Sequence, residues 1–450
     1  MDVLGIDIGS SSVKCAALRG DRVVGKIVHT RFPTHTDGVR VEVDPDTMLK
    51  ALHAAVRDAG PLAKRADVIA LSVMSPGWVA MDVKGRALTP IVTHQDRRSV
   101  NEARELAEKV GEERHLRLAG NLPFPGGISS TTWAWYLRHE PARMRRADLV
   151  GHLNTFLLRQ FTGARVIDPA NASFTGLYST PDMAGWNDEL CAAVGAKRAQ
   201  LPEVREANEV AGHLTRAAAA RLGLRAGTPV LVGIVDTSSA MLLTGARTGQ
   251  LLNSTGSTDV LALCTPTAHP HEKLLTRALG VGRKWMSVST IAAAGSAVAW
   301  VKDQLFADLQ WPQYSRIIQA LARRHPGKDR RRDRAGTEDP ARSVVFEPYL
   351  AGDRTSIEQR TASFTGLTLA TKREHMLAAV LEALARASAA RLDLLKVNGI
   401  PLRHDVVITG GAGELTSLFH RDWPGKWSFR EESEATLRGL ACLSILPSPS

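Results

Sequence analysis

The chain has 450 residues, 44% of them hydrophobic and 23% charged, an ordinary globular composition in a length too great for one core, so two domains are expected. Its apolar stretches are broken by Gly, Thr or charge well before the roughly 18 residues a membrane span needs, and no basic-then-apolar leader precedes the first strand signal, so no membrane partner and a cytoplasmic location are expected. Much of the formal charge of +11 falls in RRHPGKDRRRDRAGTEDPAR (323–342), which reads as a solvated loop without the interleaved aromatics that stack on bases, so no nucleic-acid partner is expected.

The first residues, MDVLGIDIGSSSVKCAALRG, read as a hairpin: an apolar strand, a turn of Gly9 and three serines, and a second strand. Further strand signals lie in DRVVGKIVHTRF and VIALSVM, with PDTMLKALHAAVRDAG between them carrying apolar residues at helical spacing. Strands, a helix and another strand suggest an α/β domain. From about 99 to 160 the pattern is mostly helical, and Trp133, Trp135 and Tyr136 read as core or cleft-wall residues. RVIDPANASFTGLYS reads as irregular structure with short strands. The segment VLVGIVDTSSA (230–240) is a strand broken by Gly233 that ends on a bare carboxylate, Asp236. A desolvated Asp is costly unless paired or protonated, so Asp236 caps a helix or faces a cleft.

LLNSTGSTDVLAL (251–263) repeats the build of the first hairpin, with Gly256-Ser257-Thr258 standing beside Gly9-Ser10-Ser11. Two strand-turn-strand units, each opening an α/β half, point to a duplicated domain, divided at 1–246 and 247–450. The second half continues through KWMSVSTIAAAGSAVAWV, the basic loop, VVFEPYLAGDRT, a long helix around EHMLAAVLEALARASAARLDLLK, and VVITGGAG (406–413), a strand entering Gly-Gly before a helix. Cys15, Cys191, Cys264 and Cys442 stand far apart, without the spacing of a zinc or redox motif, and read as buried thiols.

Gly- and Ser-rich turns present backbone N–H groups and hydroxyls suited to phosphate, although either turn alone is also what a plain hairpin needs. Together they make Gly9, Ser10 and Ser11, with Ser254, Thr255, Gly256 and Ser257, the candidates to hold a polyphosphate, and Lys14 a further phosphate contact or equally a solvated strand residue. Asp7, two residues before the first turn, is placed to bind Mg²⁺, which retains its waters in such a site. Gly410, Gly411 and Ala412 let backbone approach a flat or charged ligand closely, which in a two-domain nucleotide-binding protein would be the adenosine. Asp236 can then accept the proton of a substrate hydroxyl attacking the terminal phosphorus.

GIDIGSSSVK (5–14), THQDRRS (93–99), VGIVDTSSA, NSTGST (253–258), FEPYLAGDRT (346–355) and ITGGAG (408–413) resemble, in order and along the whole chain, the motifs of the FGGY family of carbohydrate kinases. The resemblance implies a pair of ribonuclease-H-like domains of the actin and hexokinase type, closing over sugar and ATP in a cleft between them. It implies Asp236 as catalytic base and substrate contact, Asp7 beside the metal, and Asp96 and Arg98 at the sugar. Trp78, in the Met74–Trp78 stretch that departs from the pattern of the xylulose-phosphorylating members, is a further sugar candidate. The expected reaction is ATP- and Mg²⁺-dependent phosphorylation of a small sugar or polyol, a pentulose such as xylulose first, with glycerol, gluconate or a heptulose as alternatives. An actin- or chaperone-like ATPase is the rival of another class, and assembly as a homodimer is left open.

Overall fold

The computed structural model describes residues 1–322, 344–411 and 414–446. The chain forms two units. The first is built from Met1–Gln250, Ala262–Val288 and Glu434–Ser450, the second from Leu251–Leu261 and Ser289–Ser433.

In the first unit, β1 (Asp2–Ile8) and β2 (Ser12–Arg19) form the expected hairpin, in a register that sets Asp7 opposite Lys14. Strand β1 is central, with β3 (Val68–Val73) parallel on its other edge and Asp7 beside Ser72, and it is buried on both faces by helices packed on the sheet. This explains the nearly unbroken apolar run VLGIDI, which a strand with one wet face would not show. On the far side of β3 lie β4 (Pro229–Leu231) and β5 (Ile234–Val235), also parallel to it. Gly233 separates these two with φ +80°, and a Cβ there would lie 2.8 Å from the Leu71 carbonyl oxygen. Only glycine fits that bend, and the bend re-aims the strand end that carries Asp236. The helix Pro45–Asp58 covers the sheet, started by Asp44, whose carboxylate accepts from the Thr47 N–H at 2.8 Å, and by proline at its first position.

A second sheet of five strands includes Gly77–Met81 and the strand Leu149–His152, which pairs antiparallel with it. That strand interrupts the region read as helical. LVGH is short and apolar, a case in which periodicity cannot separate strand from helix. RVIDPANAS also differs from expectation, because Pro169–Ser173 is a helical turn. Asp168 caps it through Oδ2, accepting from Ala170 and Asn171 N–H at 2.9 and 3.1 Å.

In the second unit, β6 (Leu251–Thr255) runs parallel to β8 (Asp405–Thr409), with Ser254 beside Thr409, and β8 runs parallel to Ser428–Glu431. The hairpin partner of β6 is β7 (Asp259–Thr265). Each half thus opens on a hairpin whose first strand has a later parallel neighbour, as duplication requires. Helices α2 (Gly295–Leu305) and α3 (Arg373–Lys396) contribute to the apolar core of the second unit around Phe306, Tyr314, Leu377 and Phe419.

The last helix, α5 (Ala435–Ile445), belongs to the first unit. It packs on β1, β2, β3 and on α1 (Asp236–Leu243). The approach to α1 is so close that a Cβ on Gly439 would lie 1.8 Å from the Ser239 carbonyl oxygen, and Ser239 Oγ donates to the Thr436 carbonyl at 2.7 Å. Cys15, Cys191 and Cys264 are buried free thiols, and Cys442 is partly buried. Among the described residues no helix is long and apolar enough to cross a membrane.

Candidate active site

Three parallel strands, β1, β3 and β5, end side by side in the first unit, and their carboxyl ends bring Asp7 and Asp236 together. Strand ends of this kind are where α/β proteins bind ligands. Ser72 Oγ donates to Asp7 Oδ1. Burial and the like charge of Asp236 push the Asp7 carboxyl up to about 7, against the opposing pull of Ser72 and Lys14, while Glu434 adds to the rise.

Asp236 is the first residue of α1 and is half-buried. Its Oδ1 accepts from the Thr237 N–H at 2.5 Å and from Thr237 Oγ1 at 2.9 Å. Among the described residues Oδ2 takes no hydrogen bond. Asp236 is thus not the N-cap the sequence allowed: Val235 holds that place without a side-chain bond, and the carboxylate, fixed to Thr237 by one oxygen, leaves the other for chemistry.

In the first hairpin turn, Gly9 N–H donates to the Ser12 carbonyl at 3.0 Å, Thr34 Oγ1 donates to the Ser10 carbonyl at 2.6 Å, and Phe32 N–H to the Ser11 carbonyl at 2.9 Å. The turn is thus held by its carbonyls, and Ser11 is exposed. Lys14 does not stand alone. Its Nζ lies 3.1 and 3.0 Å from the two oxygens of Glu434, the residue that begins α5.

Asp96 and Arg98 come together in a buried network, with side chains 1% and 3% exposed. Asp96 Oδ2 accepts from the Val41 N–H at 2.8 Å, and its Oδ1 from Arg98 Nε at 2.9 Å. Arg98 also donates to Glu42 and lies over the rings of Trp135 and Tyr136, at 5.0 and 5.7 Å. Trp78 is 1% exposed and stacks on Tyr136 with ring centroids 4.8 Å apart. This cluster forms a packed wall joining the second sheet to the helix Ser130–His139. A cavity of about 670 Å³ lies in the same unit but includes neither Asp7 nor Asp236. Of the four carboxylates lining it, Glu42 is held by Arg98, Asp82 by Arg86 and Asp44 by the helix it caps, and Asp46 stands in the first turn of that helix.

In the second unit the two glycine turns read as nucleotide contacts touch each other. A Cβ on Gly410, whose φ is +106°, would lie 2.1 Å from the Thr255 carbonyl oxygen, so only glycine lets the β8 end lie on β6. The start of α2 closes on the same turn: Gly295 N–H donates to the Gly256 carbonyl at 3.1 Å, and the Ser257 carbonyl accepts from Ala294 and Ser296 N–H at 2.9 and 3.1 Å. Ser257 is exposed and Ser254 and Gly256 are half-buried, whereas Thr255 turns its hydroxyl inward to Asp259 Oδ1 at 2.9 Å. Gly411 is exposed, and Ala412 and the Arg-rich segment 323–342 lie outside the described residues.

Ser72, Glu434, Asp259 and Arg391 were not found from sequence. Ser72 had a local signal, a hydroxyl inside the apolar run VIALSVM. Glu434 had only its place before a helix.

Twin α/β halves, each with a glycine- and hydroxyl-rich hairpin turn, and an unspent carboxylate oxygen at a strand end define a phosphotransferase of the actin and hexokinase type of ATPase fold. The model of the FGGY N-terminal domain matches residues 3–243 and that of the C-terminal domain residues 251–419. The chain belongs to the FGGY family of carbohydrate kinases. It is 26% identical to a xylulose kinase of Escherichia coli over 91% of this chain and 82% of that one. It is 29% identical to a glycerol kinase of Saccharopolyspora erythraea over 98% of this chain and 88% of that one. The crystal structure of xylulose kinase from Rhodospirillum rubrum shares the fold, with a TM-score of 0.81 at 24% identity over 98% of this chain and 90% of that one.

Proposed function

We propose that this kinase moves the γ-phosphoryl group of ATP to a terminal hydroxyl of a pentulose such as xylulose, with Asp236 as general base. The observation that carries the reading is the placement of Asp236 at a strand end with Oδ2 unclaimed and Oδ1 fixed by Thr237. A carboxylate so held takes the hydroxyl proton as the alcohol oxygen bonds to phosphorus and the bond to the ADP oxygen breaks. The products are a sugar phosphate and ADP.

Mg²⁺ fits at Asp7. Burial beside a second carboxylate leaves Asp7 short of positive charge, and a divalent cation supplies it while neutralising the phosphate oxygens. Among the described residues no three His, Cys, Asp or Glu side chains gather as a metal cage, in keeping with Mg²⁺, which keeps several waters and takes one or two carboxylates.

On the nucleotide side, Gly9, Ser10 and Ser11 in the first half (1–246) and Ser254, Gly256 and Ser257 in the second (247–450) receive phosphates, with Thr255 bracing its turn from within. Gly410 and Gly411, with Ala412 by resemblance, receive adenosine. Lys14 joins the phosphates when it leaves Glu434. On the acceptor side, Trp78, Asp96 and Arg98 act as the wall that sets the shape of the sugar site. Xylulose is placed first because xylulose kinases recur among the sequence relatives and among the solved structures, where glycerol and gluconate kinases stand as well.

The test is a coupled assay of ADP release with xylulose, ribulose, glycerol, gluconate and a heptulose. One of these is expected to stimulate turnover at least tenfold, xylulose most. Hydrolysis of ATP at full rate without any acceptor would favour the chaperone-like ATPase instead.

A further inference from the structure

The turn read as the second phosphate site is built on a buried ion pair. Asp259, the first residue of β7, is wholly buried, and Arg391 on α3 is 4% exposed. Arg391 donates to the Asp259 carboxylate, to the Asp259 carbonyl at 3.2 Å and to Ser388 Oγ at 3.0 Å. The other carboxylate oxygen, Oδ1, accepts from Asn253 Nδ2 at 2.6 Å and from Thr255 Oγ1 at 2.9 Å. One carboxylate thus ties both strands of the hairpin together immediately below Gly256 and Ser257.

The network continues to the far end of the helix that follows the second glycine turn. Asn253 Oδ1 meets His420 Nε2 at 2.6 Å, and His420 closes α4 (Glu414–His420), the helix that follows Gly410 and Gly411. The His420 ring stacks on Phe429, centroids 4.3 Å apart, and burial holds its pKa down to about 4, so it meets Asn253 uncharged. Ser388 Oγ in turn accepts from Trp423 Nε1 at 3.0 Å. The phosphate turn, the long helix and the end of α4 are therefore joined by hydrogen bonds, and the Gly410 turn packs on the Thr255 end of the same strand.

A hairpin of this length does not need a buried charge for its stability. Removing two charges from water costs more than their attraction commonly returns, and apolar replacements of such pairs are often neutral or stabilising. What the pair supplies is a fixed geometry, because a half-satisfied carboxylate cannot be tolerated there and every alternative turn conformation breaks one of its bonds. We infer that Asp259 and Arg391 are positioning residues for nucleotide: they hold the Ser254–Ser257 turn, against which the Gly410 turn packs, in its phosphate-receiving shape. This rests on the reading of those turns as the ATP site.

The test compares the parent with Arg391→Lys and with the double variant Asp259→Ala/Arg391→Met, which removes both charges and leaves no unpaired one. Binding of a non-hydrolysable ATP analogue is measured by calorimetry, and KM for ATP and for the acceptor by coupled assay. In the double variant, affinity for the analogue is expected to fall at least about tenfold and KM for ATP to rise in step. KM for the acceptor should stay within about twofold, with a melting temperature near the parent's. Arg391→Lys, which keeps the charge but not the fork of donors, is expected to fall between. A folded double variant with parental nucleotide affinity overturns the inference. If the double variant does not fold, parental affinity in Arg391→Lys overturns it as well. A parent chain that fails to bind the analogue removes the nucleotide reading itself, and the inference with it.

Discussion

Glu434 reaches Lys14 with both carboxylate oxygens, at 3.1 and 3.0 Å, across 420 positions of sequence. Glu434 holds φ +50° at the point where the chain re-enters the first unit, a conformation that a non-glycine residue takes at a cost. The pair stands beside Asp7, and the negative charge of Glu434 is one of the causes that raise the Asp7 pKa.

Glu434→Gln removes that charge and releases Lys14. Asp7 then ionises at lower pH, so the acid limb of the kcat profile is expected to move to lower pH. At saturating sugar the KM for ATP should fall or hold. An acid limb that does not move would separate Asp7 from the pH dependence of turnover.

Asp236→Asn keeps an oxygen for the Thr237 N–H and so preserves the helix start, but it cannot take a proton. We expect kcat to drop by roughly 10² to 10⁴ with nucleotide affinity little changed. Unaltered turnover in a folded protein would rule out the general-base role.

Asp7 also makes stability depend on pH. Its pKa is raised from 3.8 to about 7 in the folded chain, so the favourable contribution is fully present below pH ~4 and is lost as pH climbs through 7. Asp7→Asn does not titrate. The stability of this variant relative to the parent, read from urea unfolding, is therefore expected to grow between pH 4 and 7 and to level off above, with a slope of about one proton. Asp168, pushed up to about 7 by burial, leaves a similar slope in both proteins and cancels in the difference. A difference that is flat in pH would show that Asp7 titrates normally.

Gly439→Ala offers a packing test at a distance from the chemistry. In an exposed helix, Ala would be the more stable residue by about 1 kcal/mol. Here the added methyl lies 1.8 Å from the Ser239 carbonyl oxygen, so α5 and α1 must separate. Overpacking of this kind costs about 1–3 kcal/mol. We expect a lower melting temperature together with reduced kcat, since α1 carries Asp236, and little change in KM for ATP.

The features legible in the sequence were those set by neighbours along the chain. Both hairpins were visible because strand, Gly-Ser turn and strand are contiguous, and Asp236 stood out because an apolar run ended on it. Gly233 was noticed as a break, but its purpose, a backbone approach to Leu71, is a tertiary fact. Trp78, Asp96 and Arg98 were singled out by motif, yet their packing into one closed wall depends on Glu42, Val41 and Tyr136, which nothing local connects to them. Asp259 looked like one more polar turn residue. Its partner Arg391 sits inside a helix whose pattern suggested only a buried face, and buried arginine cannot be told from exposed arginine by periodicity. The turn at Pro169–Ser173 was missed although its cap, Asp168 before Pro169, was in plain view.

The return of α5 to the first unit fixes an order of events in the cell. The first unit takes Glu434–Ser450 from beyond the second unit, so on the ribosome β1, β3 and α1 wait for the helix that covers them until the second unit has been made. Their apolar side stays open to chaperones or to self-association in the meantime. Chains that stop before Glu434 should therefore yield not a weak enzyme but an insoluble one.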